Sequence, residues 1–361
     1  MIIVDSHEDI AWNVLTLGRD YTRSVSETRK LEAGTPTIAF NGHTLLGWDA
    51  WVQGRVAIVF STLFAAPIRK KKEALDRLCY YDTSEAYRLY SDQMDLYHRL
   101  VDEHEDKFQL VLTQADLEAV LATWEGDDPP SPRLGFVILM EGAEAIRDPG
   151  ELEEWFERGV RIIGPSWTGT RFAGGTDEPG PLTSAGRDLL DAMADTGMIL
   201  DLSHMAEEAT LQALDQYEGM IIASHSNVRS LLPGIEKPDR QLTDVAIDRI
   251  TERGGVIGIV PYNKFLLGEW RPGDPRELVT LDHVVAQIDH ICQRVGSSAH
   301  VGIGTDFDGG FGLDKVPAEL DSIADLGLIG EALGARGYSK EDVERILGMN
   351  WLSILRRALP E

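Results

Sequence analysis

Eight short apolar runs punctuate this chain, and most of them end on a polar residue. They are MIIVDSH (1–7), RVAIVFSTLF (55–64), LGFVILMEG (134–142), VRIIGPS (160–166), GMILDLS (197–203), MIIASHS (220–226), GVIGIVPY (255–262) and HVGIGTD (300–306). Near-continuous apolar runs of this length suit parallel strands covered on both faces. Between most of them lie helical stretches at 83–106, 184–196, 205–217, 243–255, 281–296, 319–337 and 339–359. Asp, Ser or Thr at their starts and Gly at their ends are the expected caps. Eight strands alternating with helices predict an α/β fold, a (β/α)8 TIM-like barrel; an open doubly wound sheet is the alternative. One barrel domain over residues 1–361 is expected, with insertions at about 13–53 and 65–133, the second partly helical.

In such barrels chemistry gathers where the strands end. Those ends carry His7 and Asp9, Glu141, His204, His225 and Asp306. Each follows an apolar run directly, so five barrel positions from distant sequence converge on one mouth. Three imidazoles with two or three carboxylates form an N/O ligand set that suits zinc, and less specifically manganese, cobalt or iron. The set exceeds one tetrahedral ion. Two divalent ions sharing a carboxylate would use it fully, with Glu141 as the bridge, His7 and Asp9 on one ion, and His204 and His225 on the other. Asp306 is left to carry a proton for the bridging water.

The charge of −26, from 60 acidic against 34 basic residues, argues against nucleic acid as a partner, which needs a basic footprint. Two distant cysteines, Cys79 and Cys292, suit a reducing compartment and build no disulfide framework. The start lacks the basic and long apolar regions of a secretory leader, and no run approaches membrane-spanning length. A cytoplasmic location with no membrane partner is expected.

With these residues in place the chain resembles the membrane (renal) dipeptidase family of binuclear zinc peptidases, barrels related to the amidohydrolases. The matching pieces are DSHEDIAW, MEGAEAI, GMILDLSHM, IIASHSNVRSL with DRQLTD after it, GGVIGIVPYN, QIDHICQRVGSSAHVGIGTDFDG and NWLSILRR. The resemblance implies His7, Asp9 and Glu141 as ligands of one zinc, and Glu141, His204 and His225 as ligands of the other. It implies Asp306 as the acid at the bridging water, Arg240 as the partner of the substrate carboxylate, and Tyr262 as a pocket wall. It also implies a small dipeptide as substrate, cleaved through a metal-bridging hydroxide, and a homodimer.

Three positions depart from the family pattern. Gln241 stands where Asn is common, and Glu8, between two ligands, replaces a common Asn and should point away from the metals. Ser166-Trp167 stands where a Thr-His pair contacts the substrate carbonyl oxygen. Trp167 is therefore a candidate substrate-binding residue. It also opens a second reading, an amidohydrolase acting on another small amide or a lactone; a catalytically silent metal-binding barrel is the third. His43, His98, His104, His283, His290 and His300 read as residues outside the site. Asp308 reads as structural, fixing the Gly309-Gly310 turn. Trp12 and Trp48 either line a pocket or fill gaps. The glycine-rich GTRFAGGT lacks the spacing and Lys of a phosphate loop.

Overall fold

Val, Ile and Leu on both faces of a strand need cover on both sides, and the fold supplies it. A computed structural model describes residues 1–127 and 129–361; residue 128, inside the second expected insertion, lies outside the described residues. The strands β1 (Ile3–Glu8), β2 (Val56–Phe64), β3 (Leu134–Glu141), β4 (Val160–Gly164), β5 (Ile199–Asp201), β6 (Ile221–Ile222), β7 (Ile257–Ile259) and β8 (Val301–Ile303) match the predicted runs one to one, β1 passing the end of its run by one residue. They pair in parallel in the order β6-β5-β4-β3-β2-β1-β8-β7. A parallel Ala223–Ile257 bridge and the bond from the Ala223 amide to the Val256 carbonyl (3.0 Å) bring the two ends of that order together. An open sheet has no such bridge, so the barrel is the fold.

The barrel is tight where β6, β7 and β8 meet β1. The Ser6 hydroxyl bonds the carbonyls of Ser224 (2.5 Å) and Ile303 (2.9 Å). A Cβ added at Gly258 or Gly304 would lie 1.9 or 2.0 Å from the Ser224 oxygen. Only glycine lets these backbones come so close. β2 and β3 are buried at every position, as their continuous apolar sequence requires.

The predicted helices form with small shifts at their ends. Ser184–Thr196 is capped by Thr183 and stopped by the left-handed Gly197, and Leu281–Val295 is stopped by Gly296. The expected 319–337 helix is a 3₁₀ turn (Ile323–Leu326) followed by Gly327–Arg336. The expected 339–359 helix contains a π-turn at Arg345–Met349. There Gly348 abuts β1, the place for its Cβ lying 2.9 Å from the Ile2 carbonyl oxygen. A π-turn takes up the extra residue of such a displacement.

The first insertion is more ordered than its sequence suggests. It holds the short helices Val25–Glu32, Pro36–Asn41 and Trp48–Gln53. A buried polar network ties it to the loop after β8. Asp308 pairs with Arg19 (2.9 Å) and accepts from Tyr21 (2.8 Å), Thr44 (2.6 Å) and the Leu45 amide (2.8 Å). Arg19 also pairs with Glu32 (2.8 Å). A buried ion pair is tolerated when its remaining donors and acceptors are satisfied, as here. Asp308 thus anchors the insertion as well as its own turn.

Candidate metal centre and substrate cavity

The strand ends deliver all five predicted ligand residues and Asp306 to one place. His7 Nε2 lies 3.9 Å from Asp9, 3.8 Å from Glu141 and 4.0 Å from Asp306. Glu141 Oε1 is 3.0 Å from His204 Nε2 and 3.5 Å from His225 Nε2. Two potential ligand triads result, His7–Glu141–His225 and His7–Asp9–Asp306. The first centres on Glu141 but joins His7 and His225, which the expectation placed on different ions; the second brings Asp306 as near to His7 (4.0 Å) as Asp9 is (3.9 Å).

Neighbouring hydroxyls orient two of the imidazoles. The Ser224 hydroxyl bonds the Asp201 carboxylate, which also accepts the amides of Ser203 (3.0 Å) and Ser224 (2.8 Å). The single proton of Ser224 is committed there, so its oxygen accepts Nδ1–H of His225 at 2.7 Å. Thr176 Oγ1 lies 2.9 Å from Nδ1 of His204 and 3.4 Å from its carbonyl oxygen; a hydroxyl proton turned to that carbonyl leaves Thr176 to accept Nδ1–H, as Ser224 does for His225. Both rings then turn bare Nε2 lone pairs inward, 3.0 Å apart. Two lone pairs and a carboxylate at that separation repel unless a proton or a metal cation lies among them. Both ring nitrogens of His7 are also buried without a hydrogen-bond partner among the described residues. The donor set fits divalent metal.

Electrostatics point the same way. Burial lowers all three imidazole pKa values, His7 to about 3, which keeps the rings neutral. Burial raises the Asp9 carboxyl to about 6. Burial, then the charge of Asp9, pushes Glu141 and Asp306 well above the carboxylate range. Crowded buried acids of this kind mark a functional site. Strain gathers here too: His204 (φ 65°), Asp306 (φ 56°) and Asp308 (φ 64°) are left-handed without being glycine. Such residues cost about 1–3 kcal/mol each and persist where their side chains are needed.

A cavity of about 280 Å³ opens beside this cluster. Arg240, Tyr262 and Trp167 all line it, as the sequence suggested. Arg240 is buried, and neither of its terminal nitrogens has a hydrogen-bond partner among the described residues. Trp167 is half-buried against Phe64 (5.0 Å between ring centres) and 6.2 Å from His204. Tyr262 stacks on Phe311 at 4.5 Å, and burial raises its hydroxyl to about 12. Trp12 lines the cavity, whereas Trp48 packs on Phe108.

The remaining positions fall outside the cluster. Glu8 points away and accepts from Trp51 (3.1 Å). His98 and His290 bond the Arg158 carbonyl and Asp244, and His300 bonds the Gly255 carbonyl. The sequence reading missed Thr176, Ser224, Asp201 and Thr62, whose hydroxyl bonds Asp9. The polar Asp201 and Ser224, placed within or directly after apolar strands, were the available clue. If Ser224 fixes the His225 tautomer, Ser224→Ala is expected to lower metal affinity roughly 10- to 100-fold. Competition against a chelating dye would measure it, with circular dichroism as the check on folding.

A sequence profile described as membrane dipeptidase (peptidase family M19) matches residues 1–359. An uncharacterized Klebsiella pneumoniae protein from the pqqA 5' region is 31% identical over 73% of this chain and 94% of its own length. Dipeptidase tcpJ of Claviceps purpurea is 27% identical over 89% of this chain and 70% of its own. The crystal structure of a metallopeptidase from Rhodobacter sphaeroides, liganded with a phosphinate mimic of L-Ala-D-Ala, superposes with a TM-score of 0.79. It covers 99% of both chains at 22% identity.

Proposed function

The chain belongs to the membrane dipeptidase family of metallopeptidases, and from that premise we propose that it hydrolyses the peptide bond of small dipeptides with two divalent ions, zinc first among them. One observation carries the reading: the buried guanidinium of Arg240, whose terminal nitrogens have no hydrogen-bond partner among the described residues, lines the same cavity as the inward-facing histidine–carboxylate cluster. A buried unpaired cation is costly and calls for an anion, and a free peptide offers a carboxylate.

His7, Asp9 and Glu141 would hold one ion, and Glu141, His204 and His225 the other. Such ions supply Lewis acidity toward the carbonyl oxygen and activation of water. Asp306, whose carboxyl group is pushed up by burial, would take a proton from the attacking water and return it to the leaving amine. The products are a free carboxylic acid and a free amine. Phe64, Trp167 and Tyr262 form apolar walls that limit water at the bond being cut. Trp167 supports a second reading, another small amide or a lactone, because an indole donates one hydrogen bond but cannot accept or carry a proton as imidazole can. Cys79 and Cys292, free and buried, support a cytoplasmic setting.

Metal content together with a panel of dipeptides, N-acyl amino acids and lactones tests the reading. Turnover of lactones alone would replace it with the second one. No turnover of any class in metal-replete protein would favour the silent barrel. Arg240→Met adds a sharper result. It should cost roughly 10- to 100-fold in kcat/KM on free dipeptides, the scale of a hydrogen bond to a charged group, and far less on amidated ones. Equal losses on both would remove Arg240 from carboxylate binding.

A further inference from the structure

The chain carries 60 acidic and 34 basic residues, yet the cavity is lined by five of each sign. The cations are Lys70, Lys72, Lys237, Arg240 and Lys264. Divalent ions at the histidine cluster would tip this balance to positive inside a strongly acidic protein. Four consecutive cations, Arg69 to Lys72, supply one side of the mouth just beyond β2.

Most of these charges are already matched. Arg69 pairs with Glu178 (2.7 Å), and Lys70 with Glu178 (3.3 Å) and Asp177 (3.6 Å). Lys237 pairs with Asp177 (2.5 Å) and Lys264 with Glu236 (2.9 Å). Two cations in the lining have no carboxylate within 4 Å among the described residues: the buried Arg240 and the exposed Lys72. The Lys72 amide is held by Asp76 (3.5 Å), and its ammonium lies 3.7 Å from where a Cβ on Gly310 would stand. That is the turn following Asp306, and the Lys72 charge is felt by Asp306.

An ordinary dipeptide brings one carboxylate, and Arg240 takes it. Lys72 would then face the cavity unmatched. We infer that the substrate carries a second carboxylate, so that this is a dipeptidase for peptides with an acidic side chain, read by Lys72. The inference rests on the dipeptidase reading for the role of Arg240, but binding and turnover test the two separately.

Phosphinate analogues of Ala-Asp and Ala-Asn, and of Asp-Ala and Asn-Ala, bind without being cleaved. Calorimetry on the metal-replete protein should find the acidic member of at least one pair about fivefold tighter, near the upper end for one solvent-exposed ion pair. The preference should shrink as ionic strength rises, because exposed charges are screened. Lys72→Met should abolish it and Lys72→Glu should reverse it. The acid-to-amide ratio of kcat/KM on the parent dipeptides should follow. Equal binding within both pairs, no binding of any analogue, or a preference that survives Lys72→Glu would overturn the inference. A preference in binding without turnover of any dipeptide would keep the second-carboxylate subsite at Lys72 and reject the dipeptidase reading.

Discussion

Glu141→Gln is expected to lose most of the bound metal and to lower kcat/KM by roughly 10³-fold or more. Metal ions at a hydrolytic centre supply several kcal/mol of charge stabilisation, and each ~1.4 kcal/mol is a factor of ten. Among the described residues Glu141 is the one carboxylate within 4 Å of all three imidazoles, so its loss should weaken both ion positions together. Elemental analysis should give about two ions per wild-type chain and clearly fewer in the variant. One tightly held ion, unchanged by Glu141→Gln, would refute the shared ligand. Metal-free stability separates this from misfolding. Glu141 is raised well above its ordinary 4.5, chiefly by burial. A carboxyl raised in the folded state stabilises below its unfolded pKa and loses that contribution as pH rises through the folded value. With chelator present, wild type should therefore lose more thermal stability than Glu141→Gln between about pH 5 and 8. The histidines, lowered in the folded state, act in the opposite direction below about pH 6.5. They are common to both proteins and cancel in the comparison.

Asp306→Asn should do the reverse, keeping metal while turnover falls roughly 10²- to 10⁴-fold, the range of a lost general acid–base group. The substitution is well suited to the site. Asp306 sits at φ 56°, a region that Asn enters as readily as Asp. Its amide bond to the His7 carbonyl (3.1 Å) is backbone and survives. An amide cannot take up the proton of an attacking water. Near-normal turnover with full metal would reject the proton-transfer role. Loss of metal would instead make Asp306 a ligand, which the His7–Asp9–Asp306 grouping makes a concrete alternative.

The barrel and the inner residues of the site were legible because they share one cause. A strand buried on both faces must be apolar along its length, so His7, Glu141, His204, His225 and Asp306 stand out as polar groups at the ends of such runs. Strand order and closure then bring them together with no further information. The first insertion was less legible. Its three short helices lack a long periodic pattern, and their order comes from Arg19 meeting both Glu32 and Asp308, the latter 289 residues further along the chain. The break in the last helix was hidden for a similar reason, since it depends on where Gly348 meets β1.

By itself, the sequence determined which atoms reach the mouth of the barrel, because hydrophobic periodicity dictates where a buried strand stops. Tertiary structure decided what those atoms are prepared to do. The tautomers of His204 and His225 depend on Thr176 and Ser224, the latter committed to Asp201 across the strands. The unmatched state of Arg240 and Lys72 depends on which carboxylates fold near them and which do not. Protonation and pairing are set by distance and burial, and residues remote in sequence acquire both only when the chain closes.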